Sequence, residues 1–294
     1  MRTFDLAVIG GGVSATSVLQ DLLPRLTRSA RIAVIDRRGD FGGGVPYGSA
    51  ARAGFLCNNP VHAQHDGSYA EWLDEHQERW LAPLAASGDP LLRRWYAHNA
   101  AALARHEYAE LFLPRNVYGE FMREKMARLV AAAVEVIRGE VVDLAPGFTL
   151  KLADGELLSA HTVLLAPGGA PPICEAVDPS TLDPHQLADR SSIILLGSNA
   201  TAMEMLWCID GYAPHVREVT VISRSGRLPD AQRSGLPGVP PMQALDALHD
   251  STAAALARAA EMDVTAALAA GYTSLDASAP LFASFTPRFD ALSA

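Results

Sequence analysis

The spacing of apolar residues changes twice within the first forty positions. Phe4–Ile9 is a short and mostly apolar run that suits a buried strand, and Val13–Leu26 has apolar residues at helical spacing. Arg31–Asp36 returns to a strand pattern, and three glycines, Gly10–Gly12, separate the first strand from the helix. Residues 4–36 therefore predict a βαβ unit of the usual size of about 30 residues.

A long stretch without clear periodicity follows this unit. Residues 37–66 are rich in Gly and Pro, and so long an irregular stretch inside a domain is usually functional. Helical patterns come next, at Ser68–Trp80, Pro90–Tyr108 and Tyr118–Ala133.

Short strands then alternate with turn signals. The strand patterns are Glu140–Leu144, Phe148–Leu152 and Thr162–Ala166, with the turns Pro146-Gly147 and Asp154-Gly155 between them. This arrangement predicts a β-meander that ends in Pro167-Gly168-Gly169.

A second βαβ unit begins near residue 192. Ile193–Leu196 reads as a strand, Gly197 as a turn, Ala200–Ile209 as a helix and Glu218–Ser223 as the next strand. The spacing repeats that of the first unit, since the first glycine precedes the end of the second strand by 26 positions there and by 27 here.

The sequence as a whole predicts an α/β fold with two Rossmann-like dinucleotide-binding units, a β-meander and inserted helices. We expect an FAD-binding domain over 1–170, with inserted helices at 67–133 and the meander at 134–166. An NAD(P)-binding unit follows at 171–240. Residues 241–294 form an Ala-rich, helical C-terminal segment.

The glycines of the first unit match the dinucleotide fingerprint G-x-G-x-x-G/A in its required place. Gly10 permits the tight turn, Gly12 lets a pyrophosphate approach the backbone, and Ala15 lets helix and strand pack closely. Asp36 ends the second strand, where a carboxylate accepts hydrogen bonds from a ribose and would repel a 2′-phosphate. These features favour FAD or NAD; the alternative is a tight turn without a ligand. Ser14 and Arg37 are further candidate contacts.

Composition excludes several other classes of protein. The 294-residue chain has a formal net charge of −9, which argues against a nucleic-acid surface. Cys57, Cys174 and Cys208 form no CxxC pair, which argues against a dithiol–disulfide reductase, and they have no metal-ligand spacing. The chain enters a strand at once, and no stretch approaches the ~20 apolar residues of a membrane span, so we expect a cytoplasmic protein without a membrane partner.

Beyond the fingerprint, the chain resembles the FAD/NAD(P)-binding proteins related to N-hydroxylating flavin monooxygenases. The stretches that carry the resemblance are Asp5–Leu19, Phe41–Tyr47, Leu56–Pro60, Arg115–Gly119, Leu164–Gly168 and Ile222–Arg224. Each is loose alone, and their order along residues 5–230 makes the match specific.

The resemblance implies FAD in the first unit and NAD(P)H in the second. It implies that Gly10, Gly12 and Asp36 hold the ADP moiety and that Val142 meets the adenine through its backbone. Gly43, Gly44, Asn58 and Gln64 would lie toward the isoalloxazine, and Ala166 and Gly168 would mark the crossing between the two cofactor regions. The plainer interpretation of Asn58, Asn59, His62 and His65 is loop capping and turn chemistry, since Asn favours turns. His62 and His65 are three positions apart, but no further ligand cluster supports a metal.

The second unit departs from the fingerprint at one glycine. Gly197, Ser198 and Asn199 begin its turn, and Asn199 replaces the second glycine, where its side chain would crowd a pyrophosphate. The following strand ends near Arg224 and Arg227, which would clasp a 2′-phosphate and favour NADPH over NADH. The alternative is two arginines on a solvated loop.

Together these features predict a flavin-dependent NAD(P)H oxidoreductase, a monooxygenase that acts on an amine or another small metabolite. No acid–base pair is identified as catalytic, because the cofactor carries the chemistry in such enzymes. The resembling proteins close the FAD domain with a late strand, and no such strand is found after Leu228. The sequence is then a truncated or processed form, or another chain supplies the missing part, or the protein has lost flavin chemistry. Of these we expect a homo- or hetero-oligomer in which a partner chain completes the flavin site. The alternative is a non-catalytic nucleotide-binding subunit of a complex.

Overall fold

The computed structural model describes residues 1–27, 29–49, 51, 54–64, 67–169, 182–224, 226, 228, 240–249, 252–273, 277, 280–281, 284–285 and 288. It divides into two compact units, each described by itself below. The first comprises residues 1–195 and 201–220, and the second comprises 196–200 and 221–294.

A six-stranded sheet forms the centre of the first unit. Its order is β3 (Val134–Arg138), β2 (Ile32–Asp36), β1 (Arg2–Ile9), β6 (Leu157–Leu165), β5 (Thr149–Leu152) and β4 (Val141–Ala145). The pairs β3–β2, β2–β1 and β1–β6 are parallel, whereas β6–β5 and β5–β4 are antiparallel. The predicted meander is therefore joined edge-on to a parallel Rossmann-type sheet.

Leu6–Ile9 of β1 and Ile32–Ile35 of β2 are continuous apolar runs because both faces of the sheet are covered there. Two separate buried clusters receive their side chains, one with Ala7, Ala33 and Ile35 and the other with Val8, Ile32 and Val34.

Strand β3 is the element that the sequence analysis missed. Val134–Arg138 follows the preceding helix almost directly and pairs with β2, from Ile32 opposite Val134 to Asp36 opposite Arg138. Only Val134 and Ile137 of this strand are buried, so its side chains show little alternation. The last meander strand is also longer than predicted, since β6 begins at Leu157 and pairs with β5 before it follows β1.

Helices surround the sheet and the irregular segment after it. They are α1 (Val13–Leu22), α2 (Gly44–Tyr47), α3 (Ser68–Glu75), α4 (Gln77–Ala85), α5 (Pro90–Ala104) and α6 (Arg115–Ala132). The helix predicted over 68–80 is interrupted at His76, whose backbone leaves the helical region and whose ring stacks on Trp72. Asp89 caps α5 by accepting the backbone N–H groups of Leu91 and Leu92.

An aromatic core joins the inserted helices to the segment around residue 57. Its largest members are Tyr69, Trp72, Trp80, Trp95, Tyr108, Tyr118 and Phe121, and Cys57 and Val61 are buried among them. The irregular segment is therefore fixed from one side by packing, and backbone hydrogen bonds such as that from the Cys57 N–H to the Leu113 carbonyl add to it.

The second βαβ unit forms as predicted. Strand β7 (Ser192–Leu196), helix α7 (Ala200–Tyr212) and strand β8 (Glu218–Ile222) follow one another. The Arg217 N–H donates to the Ser191 carbonyl, and the Gly197 N–H donates to the Ile222 carbonyl, which makes the two strands parallel.

The second compact unit contains two helices that the sequence analysis merged into one pattern. They are α8 (Gln243–Asp246) and α9 (Ala253–Ala269), packed through Leu245 and Leu256. Buried Asp263 accepts the N–H groups of Ala244 and Leu245 at 2.7 and 2.8 Å. Among the described residues no strand follows β8, and no described helix meets the length and hydropathy that a membrane span requires.

Candidate dinucleotide site

The first fingerprint loop touches the end of β6 through Gly10. The Gly10 backbone has a φ of +101°, and a Cβ there would lie 2.0 Å from the Ala166 carbonyl oxygen. The Ala166 N–H donates in turn to the Ile9 carbonyl at 2.8 Å. The structure thus brings together two predicted site residues, Gly10 and Ala166, and only glycine fits the first position.

Two glycine loops meet backbone to backbone at this point. A Cβ on Gly44, whose φ is +61°, would lie 2.9 Å from the Gly12 Cα, and the Gly42 N–H donates to the Gly11 carbonyl at 2.7 Å. Sequence reasoning gave Gly12 a role in pyrophosphate approach and placed Gly43 and Gly44 near the flavin. The contact between the loops is a second reason for glycine at both positions.

The amino end of α1 has the donor set that a pyrophosphate requires. Gly12 is its N-cap, and none of the described side chains caps the first turn. Ser14 lies in that turn and is exposed. A helix start with uncapped N–H groups and a glycine backbone on two sides suits a phosphate anion. These residues fit the ADP portion of FAD.

Asp36 holds the fingerprint loop in place. Its Oδ2 accepts the Gly11 N–H at 3.0 Å, and its Oδ1 accepts the N–H groups of Arg38 and Gly39 at 2.8 and 3.1 Å. A carboxylate offers about four acceptor positions, so about one remains for a ribose hydroxyl. Neighbouring Arg37 is exposed, with its Nη1 3.6 Å from Glu140 Oε1.

The segment that carries Asn58 is held by Arg115. The Arg115 Nε donates to the Leu56 carbonyl at 3.0 Å, and its Nη2 donates to Asn58 Oδ1 at 3.2 Å. Gln64 donates to the Asn59 carbonyl at 3.2 Å. In the described part of the chain no hydrogen bond joins Asn58 or Gln64 to the fingerprint loop, and their proximity to a flavin stays a prediction.

Arg115 also forms an ion pair that sequence reasoning did not find. Its Nη2 lies 2.6 Å from Glu204 Oε1 on α7, and both side chains are largely buried, at 13% and 16% exposure. Burial raises the pKa of Glu204, and Arg115 offsets part of that rise. Arg115 stood in a stretch that carried the family resemblance, but nothing in the sequence pointed to its partner 89 positions away.

Burial also changes the chemistry of the nearby thiol and phenols. It raises the pKa of the Cys57 thiol to about 12, and Tyr118 reaches a similar value for the same reason. Cys57 is therefore a neutral packing residue, not a nucleophile.

Other candidate residues lie on exposed backbone. Val142 is 56% exposed on β4, and Gly168 is exposed with a φ of +79°. In the turn of the second βαβ unit, Gly197 has a φ of +105°, Ser198 is half-buried, and Asn199 is exposed. Arg224 is also exposed, and Arg227 lies outside the described residues. The roles assigned to these residues stay predictions.

The histidines of the irregular segment show local contacts. His62 Nδ1 lies 2.9 Å from the Ala109 carbonyl oxygen and 3.4 Å from Glu110 Oε1, while His65 lies outside the described residues. Where the structure describes the chain, no group of three or more His, Cys, Asp or Glu side chains is placed to hold a metal.

Solved structures with a similar fold include flavin monooxygenases. The chain superposes on the ornithine N-hydroxylase of Kutzneria sp. 744, whose structure holds reduced FAD, NADP⁺ and L-ornithine, with a TM-score of 0.51 and 14% identity. The match covers 99% of this chain and 69% of that one. An open structure of cyclohexanone monooxygenase matches with a TM-score of 0.47 and 19% identity, over 76% of this chain and 40% of that one. The fold is that of two-dinucleotide-binding flavoproteins.

The family assignment follows from sequence. Residues 7–170 match the FAD-NAD(P)-binding family, and this chain belongs to it. Uncharacterized proteins of Mycobacterium tuberculosis and Mycobacterium bovis are 30% identical to it over 280 residues. Those alignments cover 77% of this chain and 52% of each relative, so the chain spans about half the length of the curated relatives it matches.

Proposed function

We propose that the protein is a flavin-dependent NADPH oxidoreductase, and specifically a monooxygenase acting on an amine or another small metabolite. The observation that carries this proposal is the contact between the two glycine loops at the uncapped start of α1, beside Asp36. That arrangement offers N–H donors and side-chain-free backbone to a dinucleotide, which the family membership identifies with FAD or NAD(P).

In this proposal each of the two βαβ units binds a different cofactor. The first binds the ADP part of FAD through Gly10, Gly12 and Asp36, with Gly43 and Gly44 beside it. The turn at Gly197–Asn199 receives NADPH, with Arg224 near its 2′-phosphate. Bound FAD would supply hydride acceptance and oxygen activation, and the chain would supply binding, orientation and exclusion of water.

The test is the absorbance spectrum of the purified full chain, followed by titration with FAD. We expect flavin absorbance bands, saturable binding, and consumption of NADPH and oxygen together. A chain that binds FAD but consumes neither NADPH nor oxygen would contradict the enzyme assignment. A chain that stays colourless after incubation with FAD would contradict the flavoprotein assignment.

The second candidate is a nucleotide-binding subunit that works only with a partner chain, which is either a second copy or a different subunit. Leu196 and Ile222 at the ends of β7 and β8 favour it, since they are 69% and 52% exposed. Parallel strands are normally covered on both faces, so exposed apolar side chains there would suit a covering partner. Light scattering combined with FAD titration separates the two, because a monomer that binds FAD tightly and stoichiometrically needs no partner.

A further inference from the structure

A cavity of about 430 Å³ lies in the first compact unit between α5, α7 and the segment before α6. Its apolar walls include Trp95, Phe112 and Trp207, and Leu56 lines it next to the segment held by Arg115. The volume falls within the usual range for small-molecule sites, about 300–1,000 Å³. Aromatic walls with a few polar groups are also the composition typical of such sites.

The polar groups in this cavity divide unequally between donors and acceptors. Arg94 is paired with Asp210 on α7, and its Cζ lies 4.4 Å from the centroid of the Trp207 ring. The positive charge of Arg94 is therefore already neutralised, and its guanidinium is stacked on the wall. The wall presents a flat surface there rather than an unpaired cation.

Among the residues that the structure describes, no arginine or lysine forms an ion pair with the carboxylate of Glu110. Its side chain is 79% exposed, and the group facing it is the His62 ring, with Nδ1 3.4 Å from Oε1. That same Nδ1 lies 2.9 Å from the Ala109 carbonyl oxygen, a partner it contacts more closely. Arg94 and Glu110 are the lining residues with a fixed charge, and Asp210, which does not line the cavity, pairs with Arg94, so the three together sum to one negative charge.

Asn99 adds a second acceptor. Its Nδ2 donates to the Trp95 carbonyl at 2.8 Å, which directs its Oδ1 away from that bond. None of the described residues donates a hydrogen bond to Asn99 Oδ1. The cavity thus combines aromatic walls with two oxygen acceptors and one uncompensated negative charge.

We propose that this cavity binds a small organic cation with a flat apolar body, such as an aromatic ring that carries a protonated amine. The ring would pack against Phe112 and the stacked Arg94–Trp207 wall, and the ammonium would donate to Glu110 and Asn99. The further step of identifying this cation as the substrate rests on the proposed oxidoreductase function. Binding of the cation does not rest on that function, because this chain's own residues line the cavity.

The experiment is calorimetric titration of the purified full chain, without nicotinamide cofactor, using four probes. 2-Phenylethylamine has both features, 2-phenylethanol lacks the charge, 3-phenylpropionate reverses it, and butylamine lacks the ring. We expect 2-phenylethylamine to bind with millimolar or better affinity and at least about fivefold more tightly than each other probe, as loss of about 1 kcal/mol implies.

Two variants and a control then assign the contacts. Glu110→Gln should weaken 2-phenylethylamine about two- to fivefold, the range for an exposed charge pair, and leave 2-phenylethanol unchanged. Phe112→Ala should weaken binding of both the amine and the alcohol, because the aromatic wall is lost. The hydrogen bond from Trp95 Nε1 to the Phe112 carbonyl involves only the backbone of residue 112 and survives. Glu71→Gln on the exposed face of α3 removes the same charge elsewhere and should change neither.

Three results would overturn the proposal: no probe binds at millimolar concentration, 3-phenylpropionate binds as tightly as the amine, or Glu110→Gln leaves the amine affinity unchanged. FAD titration of the same preparation is read separately. A protein that binds FAD but none of the probes therefore contradicts the cavity assignment alone, and one that binds the amine but no FAD contradicts only the flavin function.

Discussion

Asp36 accepts a hydrogen bond from the backbone N–H of Gly11 at 3.0 Å, so the carboxylate at the end of β2 holds the fingerprint loop that follows β1. Two more N–H groups, from Arg38 and Gly39, bind its other oxygen. The residue expected to contact a ribose is therefore also a brace for the glycine loop, and its substitution should affect both stability and binding.

Asp36→Asn tests this double role, because the asparagine amide keeps the shape of the carboxylate while its nitrogen cannot accept a hydrogen bond. At least one backbone N–H loses its partner, which we expect to lower the free energy of unfolding by about 1–3 kcal/mol. The affinity for FAD should fall about ten- to hundredfold. Urea unfolding and FAD titration measure the two effects.

Asp154→Asn is the matched control, since that carboxylate accepts one N–H, from Glu156, in an exposed turn. If Asp36→Asn lowers stability and leaves FAD affinity intact, the carboxylate is a brace alone.

Gly12→Ala tests the close approach of the two glycine loops. The added Cβ would lie 3.3 Å from the Gly44 Cα, a contact that requires the second loop to move by a few tenths of an ångström. We expect this movement to cost one charge-assisted hydrogen bond to a phosphate, which contributes about 1.5–3 kcal/mol. The affinity for FAD should therefore fall about ten- to hundredfold. Gly67→Ala is the control, since a Cβ there meets nothing within 4 Å. Equal flavin content in the two variants after gel filtration would contradict the role of Gly12.

The glycine loops also show how far the sequence determines this site. The position of Gly10 between a strand and a helix is local information, and the structure confirms the turn it predicts. The contact of Gly12 with Gly44 joins loops whose separation depends on how α6 packs beneath them, where a Cβ on Gly42 would strike the Met122 carbonyl. No pattern of spacing contains that information.

Elements with weak alternation and contacts between distant segments were missed for a similar reason. Strand β3 follows α6 at once. Its buried residues, Val134 and Ile137, are three positions apart, so the strand lacks the two-residue alternation that would predict it. The ion pair of Arg115 with Glu204 depends on the packing of α7 within the first compact unit, through residues such as Met205. Burial of both charges is a tertiary property.

Glu204→Gln tests the effect of burial on that ion pair through its pH dependence. Because the pKa of Glu204 is raised, the folded protein holds the proton more tightly than the unfolded chain, whose carboxyl titrates near 4.5. The contribution of Glu204 to the free energy of unfolding therefore falls as the pH rises from about 4.5 through the folded-state pKa, and stays constant above it. The difference in unfolding free energy between parent and variant, measured by urea titration across pH 4–8, should decrease over that window. An increase with pH would mean that Arg115 outweighs burial.

Cys57 should be inert while the protein is folded. With its pKa at about 12, against an ordinary value of 9.0, its thiolate population at a given pH is about a thousandfold smaller. We expect iodoacetamide at pH 8.5 to leave Cys57 unmodified in the native protein and to alkylate it in urea, as read by peptide mass spectrometry. Buried Cys208 serves as an internal comparison. Rapid alkylation of Cys57 before unfolding would show that the segment held by Arg115 opens in solution.

The predicted preference for NADPH over NADH rests on two arginines that follow the last strand of the second βαβ unit. Strand β8 leads to exposed Arg224, whereas the equivalent strand of the first unit ends in Asp36. A guanidinium forms an ion pair with the 2′-phosphate of NADPH but not with the 2′-hydroxyl of NADH. Arg224→Ala combined with Arg227→Ala should therefore raise the KM for NADPH about tenfold or more and leave the KM for NADH little changed. Steady-state kinetics with both cofactors decide it, with Arg217→Ala at the other end of β8 as a control for lost positive charge. A parallel loss with both cofactors, or none with either, would exclude a 2′-phosphate contact at these arginines.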